Sequence, residues 1–281
     1  MPRTAEAFAP AKVNLTLHVT GRRSDGYHLL DSLVVFAGIG DSVTAVRAAK
    51  TSLSVIGPQS AGVPAGPENL VLRAAALLRP AVPAALTLTK RLPSASGIGG
   101  GSADAAATIK VLTALSRQPM PGRDETLRLG ADLPVCVDGR PVRMRGIGEI
   151  LDPLPSLPRF WIVLANPGVN VSTPEIFRSL HRRENAPMPI VLPRWTDFAD
   201  FVAWLAGQRN DLEWPAQTIA PAIAATLSRL RAAPRCALAR MSGSGATCFG
   251  LFENGTDAAA AAAALRSDFP CWWVEAAPRL D

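Results

Sequence analysis

Pro93-Ser-Ala-Ser-Gly97-Ile-Gly99-Gly100-Gly101-Ser102 joins an alternating stretch, Ala84–Thr89, to an alanine-rich one, Ser102–Leu115. The first puts Leu86 and Leu88 on one face, which is the period of a strand; the second reads as a helix. Strand, glycine loop, helix is an order that suits an anion. Glycine lets the backbone come close to a ligand, and successive N–H groups in such a loop can point at one anion. The opening of the helix adds its partial positive end. With Gly97, Gly99, Gly100 and Gly101 in the loop, the stretch reads as a cradle for a polyphosphate. Two common cradles are excluded. No Lys follows the glycines as in G-x-x-x-x-G-K-[ST]. The G-x-G-x-x-G fingerprint is poorly met, and no early βαβ unit with a ribose-binding acid accompanies it.

Outward from the loop, Ala5–Thr20 alternates, with Val13, Leu15, Leu17 and Val19 on one side, and is expected to be a strand. Leu33–Phe36 and Asp41–Val46 read as two further strands, and Asn69–Leu78 as a helix. A helix over Arg123–Leu129 leads into Gly130–Asp132. Phe160–Ala165, Thr247–Phe252 and Trp272–Val274 read as strands, and Pro221–Leu230 as a helix. Thr256 and Asp257 are helix-start residues ahead of the alanine run Ala258–Ala264. Arg182–Pro193 is polar and proline-containing and is expected to be mobile or variable in sequence. Strands and helices mix without regular βαβ alternation, so the fold class is α+β. A length of 281 residues suggests two domains, divided as 1–155 and 156–281.

Composition narrows the function classes. The net charge is +6, which can attract nucleic acid, an anionic membrane or phosphorylated metabolites. No run of like charges forms a nucleic-acid arm. No apolar run approaches the roughly 18 residues that span a bilayer. MPRTAEAFAPAK lacks the apolar core of a signal peptide, and the expectation is a cytoplasmic protein without membrane or nucleic-acid partners. Cys136, Cys236, Cys248 and Cys271 form no C-x-x-C pair and are read as small apolar fillers. Lysine is scarce, at Lys12, Lys50, Lys90 and Lys110 only; a Lys can mark a place where Arg would not serve, with chance placement the default for any one of them.

The glycine segment resembles the ATP-phosphate loop of the GHMP kinases, with Ile98 where that family usually has Leu and Ala103 where it has a small residue such as Ser. Pro10-Ala-Lys12-Val-Asn14-Leu resembles the family's first motif. Gly21-Arg-Arg-Ser-Asp-Gly26-Tyr27-His28, Gly130-Ala-Asp132-Leu-Pro134, Asn166-Pro-Gly168 with Thr173-Pro-Glu-Ile-Phe177, and Ser242-Gly-Ser-Gly-Ala246 are similar to one subfamily, whose acceptor is a cytidyl diphosphate sugar alcohol. The matches follow the family's order and span most of the chain; Arg182–Glu213 is hard to align, Asn210-Asp211 apart. The resemblance implies a ribosomal-protein-like N-terminal domain and a ferredoxin-like C-terminal domain with the active site between them. The implied reaction is ATP-dependent phosphorylation of the acceptor's 2-hydroxyl in the non-mevalonate route to isoprenoid precursors.

Roles follow from the same resemblance. Asp132 and Lys12 are the implied catalytic pair, expected within hydrogen-bonding reach of each other or bridged by the substrate. The carboxylate would serve as base at the hydroxyl, and the ammonium would stabilise the alkoxide. Asn69, Leu70 and Lys90 are implied around adenine and ribose. Pro93, Gly97, Gly99, Gly100, Gly101 and Ser102 are implied at the phosphates, with Ser102 the one candidate to touch a metal. Mg²⁺ is expected to arrive with ATP, since no acidic ligand set stands out. Tyr27 and Phe177 are expected to sandwich cytosine while His28 reads its edge. Asn14 is assigned to the methylerythritol hydroxyls, Thr173 to closing the pocket, and Gly243 and Gly245 to the substrate diphosphate. His18 and His181 are left structural. The resemblance covers a monomer or weak homodimer. Two other readings stay open at this point: another GHMP kinase, or a basic RNA-binding protein on the ribosomal-protein-like fold.

Overall fold

The computed structural model describes residues 3–281. In chain order the elements are strands β1 (Thr4–Asn14), β2 (His18–Arg22), β3 (His28–Arg47) and β4 (Ser52–Ile56), helix α1 (Leu70–Ala75) and strand β5 (Ala84–Thr89). Helices α2 (Gly100–Ser116), α3 (Arg123–Leu127) and α4 (Leu133–Asp138) follow, then strands β6 (Val142–Gly146), β7 (Ile150–Pro153) and β8 (Trp161–Asn166). The chain continues through α5 (Thr173–Arg178), α6 (Phe198–Ala206), α7 (Glu213–Ile219), α8 (Ala222–Ala232), β9 (Leu238–Met241), β10 (Cys248–Phe252), α9 (Gly255–Asp268) and β11 (Trp273–Leu280). The residues gather into two compact units, each discontinuous in sequence.

The first unit takes residues up to Lys12, Gly40–Ser94 and Gly99–Gly139. Here β5 lies between two strands, antiparallel to the second half of β3 (Ser42 opposite Thr89) and parallel to β4 (Ser52 opposite Ala85). Ala84, Leu86 and Leu88 of β5 are buried on one face, as the alternation requires. Helix α2 packs on α1 and α4. Its buried residues include Ala103, Ala105, Ala106, Ala107, Ile109, Val111, Leu112 and Leu115, more than one helix face, so it is an interior helix.

The second unit takes Val13–Ile39, Ala95–Ile98 and Arg140–Asp281. Strand β8 is paired antiparallel with β10 on one side and β11 on the other, and β9 flanks β10. Helix α8 packs on β9 and β10, and α9 on β8 and β11. The first half of β3 pairs with β2, β6 and the end of β11.

Several expectations need correction. Leu33–Phe36 and Asp41–Val46 belong to one strand, β3. The intervening Gly40 is no turn: a Cβ there would lie 2.2 Å from the carbonyl oxygen of Ala9, so glycine is a close-approach device. Ala5–Thr20 breaks after Asn14, because Leu17 leaves the ladder and pairs in parallel with Asn210 through Arg209 and Asp211. The cap of α9 is Asn254, whose side chain accepts from the Asp257 N–H at 2.9 Å; Thr256 and Asp257 lie inside the first turn. Residues 182–193 form no helix or strand, yet they are tied down. Met188 donates its N–H to Asp31 at 2.8 Å, and Arg143 donates to the carbonyls of Met188, Pro189 and Ile190. Cys136 and Cys248 are buried fillers, but Cys236 is half-buried and Cys271 is exposed. Among the described residues no helix is long and apolar enough to cross a membrane.

Candidate active site

In the first unit, strand β5 delivers the chain to Lys90 and the glycine loop, and Gly99 begins α2. Gly99 has φ +65°, a left-handed conformation that glycine adopts without strain. As N-cap it brings no side chain, and α2 opens without a side-chain cap, which leaves its first N–H groups to a ligand. A Cβ on Gly99 would stand 3.2 Å from Lys12. Lys12, 3% exposed, donates from Nζ to Asp132 Oδ2 at 2.8 Å, so the two predicted catalytic side chains meet beside the loop. Asp132 occupies the N-cap position of α4, yet its side chain makes no cap bond there and turns to Lys12. A cap-only role for this aspartate is therefore excluded. About a third of its side chain stays exposed, enough to meet a substrate. Gly130 keeps space open near Ser102, whose Oγ would be 3.9 Å from a Cβ at that position.

The residues assigned to adenine and ribose divide. Leu70 lies beside Gly101, its Cδ1 3.4 Å from a Cβ built there. Asn69 caps α1, accepting from the Val71 N–H at 2.9 Å and donating to the Pro64 carbonyl at 2.6 Å. Pro93 is half-buried at the loop's start. Lys90 differs from the expectation of a ligand-facing side chain: it is 3% exposed and donates to Asp41 and to Asp104. The physical reason is that two buried carboxylates claim its ammonium.

In the second unit, Gly97 (φ +75°) presses against the late glycine turn. A Cβ on Gly97 would lie 2.5 Å from the Ser242 carbonyl oxygen, and one on Gly243 would lie 2.6 Å from the Gly97 carbonyl oxygen. The Ser242 hydroxyl joins three motifs. It accepts from the Asn14 N–H at 3.1 Å and donates to the Gly97 carbonyl at 3.0 Å. The Asn14 side chain donates to Ser32 at 2.7 Å. Asn210 steadies the same turn by donating to the carbonyls of Met241 and Gly243 at 2.9 Å each. Gly245 also has positive φ, at +84°, and a Cβ there would meet Met241 Sδ at 2.7 Å. Thr173 and Ser244 share a hydrogen bond of 2.7 Å.

The aromatic group is arranged otherwise than expected. His28, not a gap for a base, lies on the face of Phe177, with ring centroids 4.6 Å apart and planes 21° from parallel. Tyr27 stands apart, 57% exposed, on a turn closed by the Arg23 N–H donating to its carbonyl. Burial lowers the His28 pKa, and Arg22 and Arg183 lower it further, so its ring is neutral at pH 7. Its Nε2 is buried without a hydrogen-bond partner, an unmet demand of the kind a bound polar ligand relieves.

Ser242, Asp41 and Asp104 were missed from sequence. Ser242 lies in a motif whose glycines drew the attention, while the two aspartates carry no local signal. His18 is buried against the Ala186 carbonyl and His181 packs on Trp214, so both serve structure.

Two family models match, GHMP kinases N terminal domain over residues 69–143 and GHMP kinases C terminal over residues 191–271. Fold and site together define a GHMP kinase. A protein of Cereibacter sphaeroides named 4-diphosphocytidyl-2-C-methyl-D-erythritol kinase is 58% identical over 97% of this chain and 98% of its own. One of the same name from Ruegeria pomeroyi is 57% identical over 95% of this chain and 96% of its own. A crystal structure of 4-(cytidine 5'-diphospho)-2C-methyl-D-erythritol kinase matches with a TM-score of 0.78 at 33% identity, covering 99% of this chain and 100% of that one. The chain belongs to the 4-diphosphocytidyl-2-C-methyl-D-erythritol kinase family of GHMP kinases.

Proposed function

We propose that the protein transfers the γ-phosphoryl group of ATP to the 2-hydroxyl of 4-diphosphocytidyl-2-C-methyl-D-erythritol, a step of the methylerythritol phosphate route to isoprenoid precursors. The names of its relatives support the acceptor. The observation that carries the chemistry is the Lys12–Asp132 pair, 2.8 Å apart, standing beside Gly99 at the opening of α2. Asp132 takes the hydroxyl proton as the new O–P bond forms and the bond from the γ-phosphorus to the bridging oxygen breaks, releasing ADP. Lys12 offsets charge on the attacking oxygen. The first N–H groups of α2, with Gly97 and Ser102, hold the polyphosphate. Asn69 and Leu70 border the nucleoside, and Lys90 supports the loop from below, its ammonium held by Asp41 and Asp104. Mg²⁺ would arrive with ATP, and the Ser102 hydroxyl is the one protein group assigned to touch it; among the described residues no cluster of acidic or His/Cys side chains is built to hold a metal.

For the acceptor, Tyr27 supplies a face for cytosine, and the neutral His28 offers Nε2 to its edge, with Phe177 backing the imidazole. Asn14 binds the methylerythritol hydroxyls, Thr173 closes the pocket, and Gly243 and Gly245 take the diphosphate. The family-model matches fall on either side of residue 155, which supports functional domains of 1–155 and 156–281.

The deciding experiment is turnover of purified protein with ATP and the cytidyl alcohol, followed by phosphorus NMR. A new phosphomonoester resonance and stoichiometric ADP are expected. Phosphorylation of homoserine or mevalonate without the cytidyl alcohol overturns the reading. Tyr27→Ala is expected to raise the KM for the cytidyl alcohol roughly 10–100-fold, the worth of one base stack, and to leave the KM for ATP unchanged. Because Tyr27 is 57% exposed, stability should hold, and equal weakening of both substrates counts against stacking.

A further inference from the structure

Asn14 is held by two serines, all three in the second unit, and each serine hydroxyl has one hydrogen to give. At the main chain, the Asn14 N–H donates to Ser242 Oγ at 3.1 Å, and Ser242 spends its own hydrogen on the Gly97 carbonyl. At the side chain, Asn14 Nδ2 and Ser32 Oγ lie 2.7 Å apart, and Ser32 donates to the Thr16 carbonyl at 2.5 Å. Asn14 is 1% exposed, and Ser32, Thr16 and Ser242 are at 0%, so bulk water does not stand in for a missing partner.

The direction of the Asn14–Ser32 bond is fixed by the other partner of Ser32. A carbonyl oxygen only accepts, so the single hydroxyl hydrogen of Ser32 points at Thr16. What remains at Ser32 Oγ is a lone pair, and a lone pair takes a donor. The Asn14 amide must therefore turn its NH₂ group to Ser32. The reversed amide would set two acceptors 2.7 Å apart with no hydrogen between them. Rotating the hydroxyl to relieve them would strip the buried Thr16 carbonyl of its donor.

The neighbouring chain leaves little room to escape this choice. The Thr16 hydroxyl accepts from the Leu33 N–H at 2.8 Å and donates to Met188 Sδ at 3.4 Å. The Leu15 N–H donates to the Leu33 carbonyl at 2.8 Å. Residues 14–16 are thus strapped along their length to Ser32 and Leu33. An amide whose NH₂ is committed to Ser32 offers its carbonyl oxygen on the other side. We propose that Ser32 is a positioning residue for the acceptor: by fixing the Asn14 amide it makes that side chain a hydrogen-bond acceptor, so the site selects a sugar alcohol that donates a hydroxyl hydrogen there. This rests on the reading of Asn14 as a ligand of the methylerythritol hydroxyls. An ether, a carbonyl or a fluorine in the same place brings only lone pairs and meets an oxygen.

The test is kinetic, on the whole protein with ATP and a set of cytidyl alcohols. In each, a hydroxyl other than the 2-hydroxyl is replaced by hydrogen or by fluorine, which cannot donate. At the hydroxyl that meets Asn14, both replacements should lower kcat/KM by roughly 10–100-fold and to the same extent, with the KM for ATP unchanged. Ser32→Ala frees the amide to turn. The KM for the parent alcohol should then rise about tenfold, the KM for ATP should hold, and the fluorinated compound should outperform the deoxy one. If no replacement matters, the assignment of Asn14 falls and this inference with it. A fluorinated compound several-fold better than its deoxy counterpart in the wild-type protein overturns this inference alone. So does a wild-type KM for the alcohol in Ser32→Ala, or an equal rise for both substrates. The wild-type series decides the orientation of the amide even if the variant does not fold.

Discussion

Asp132→Asn lowers turnover by about 10²–10⁴-fold and leaves nucleotide affinity close to that of the wild type, the range of a lost general base. The substitution keeps the size of the side chain and an oxygen for Lys12 to hold, so the ammonium, 3% exposed, is not stripped of its contact. It removes the capacity to accept the hydroxyl proton together with the negative charge that faces the Lys12 ammonium. Because the carboxylate is a third exposed and makes no cap bond to α4, little of the fold leans on it, and the melting temperature should move by a few degrees at most. Steady-state kinetics set beside calorimetric nucleotide affinity separate the cases. Turnover near the wild-type value reduces Asp132 to a group that orients the hydroxyl.

The second large effect is in the loop and is carried by the backbone. Gly97→Ala places a methyl group 2.5 Å from the Ser242 carbonyl oxygen and 2.7 Å from the backbone of Gly245, at a φ of +75°. Left-handed strain costs roughly 1–2 kcal/mol and forced overpacking roughly 1–3 kcal/mol more, so a loss of about 2–5 kcal/mol is expected. Neither neighbour can swing aside, since both are main chain. The loop must deform, and the KM for ATP should rise by more than tenfold. Gly101→Ala is the control. Gly101 is exposed, and its nearest contact is Leu70 Cδ1 at 3.4 Å, so the added methyl should change stability by under about 1 kcal/mol. Denaturant unfolding and ATP kinetics on both variants measure the contrast, and equal effects contradict the loop geometry.

What the sequence revealed depended on locality. The strand Ala84–Thr89, the glycine loop and the alanine helix announce themselves over adjacent residues, and their order carried the reading of an anion cradle. Lys12 and Asp132 were paired through motif resemblance, since nothing local joins residues 120 apart. The Asp41–Lys90–Asp104 cluster stayed hidden for the same reason: its charges look like solvated ones until tertiary structure buries them. The short helices α5, α6 and α7 were not read, because six to nine residues hold too few turns for a helical period to emerge. The continuity of β3 through Gly40 was not read, because the close approach of the Ala9 carbonyl that requires glycine there is a tertiary contact. The His28–Phe177 stack could not be read because both residues were already assigned to a ligand rather than to each other.

The meeting of Gly97 with Ser242 and Gly243 has a consequence for heredity as well as for binding. Where two stretches of main chain touch with no side chain between them, neither can drift in sequence by itself, and the shape of one is stored partly in the other. A graft of the glycine segment into a foreign scaffold would lose its form unless the turn some 145 residues downstream travelled with it.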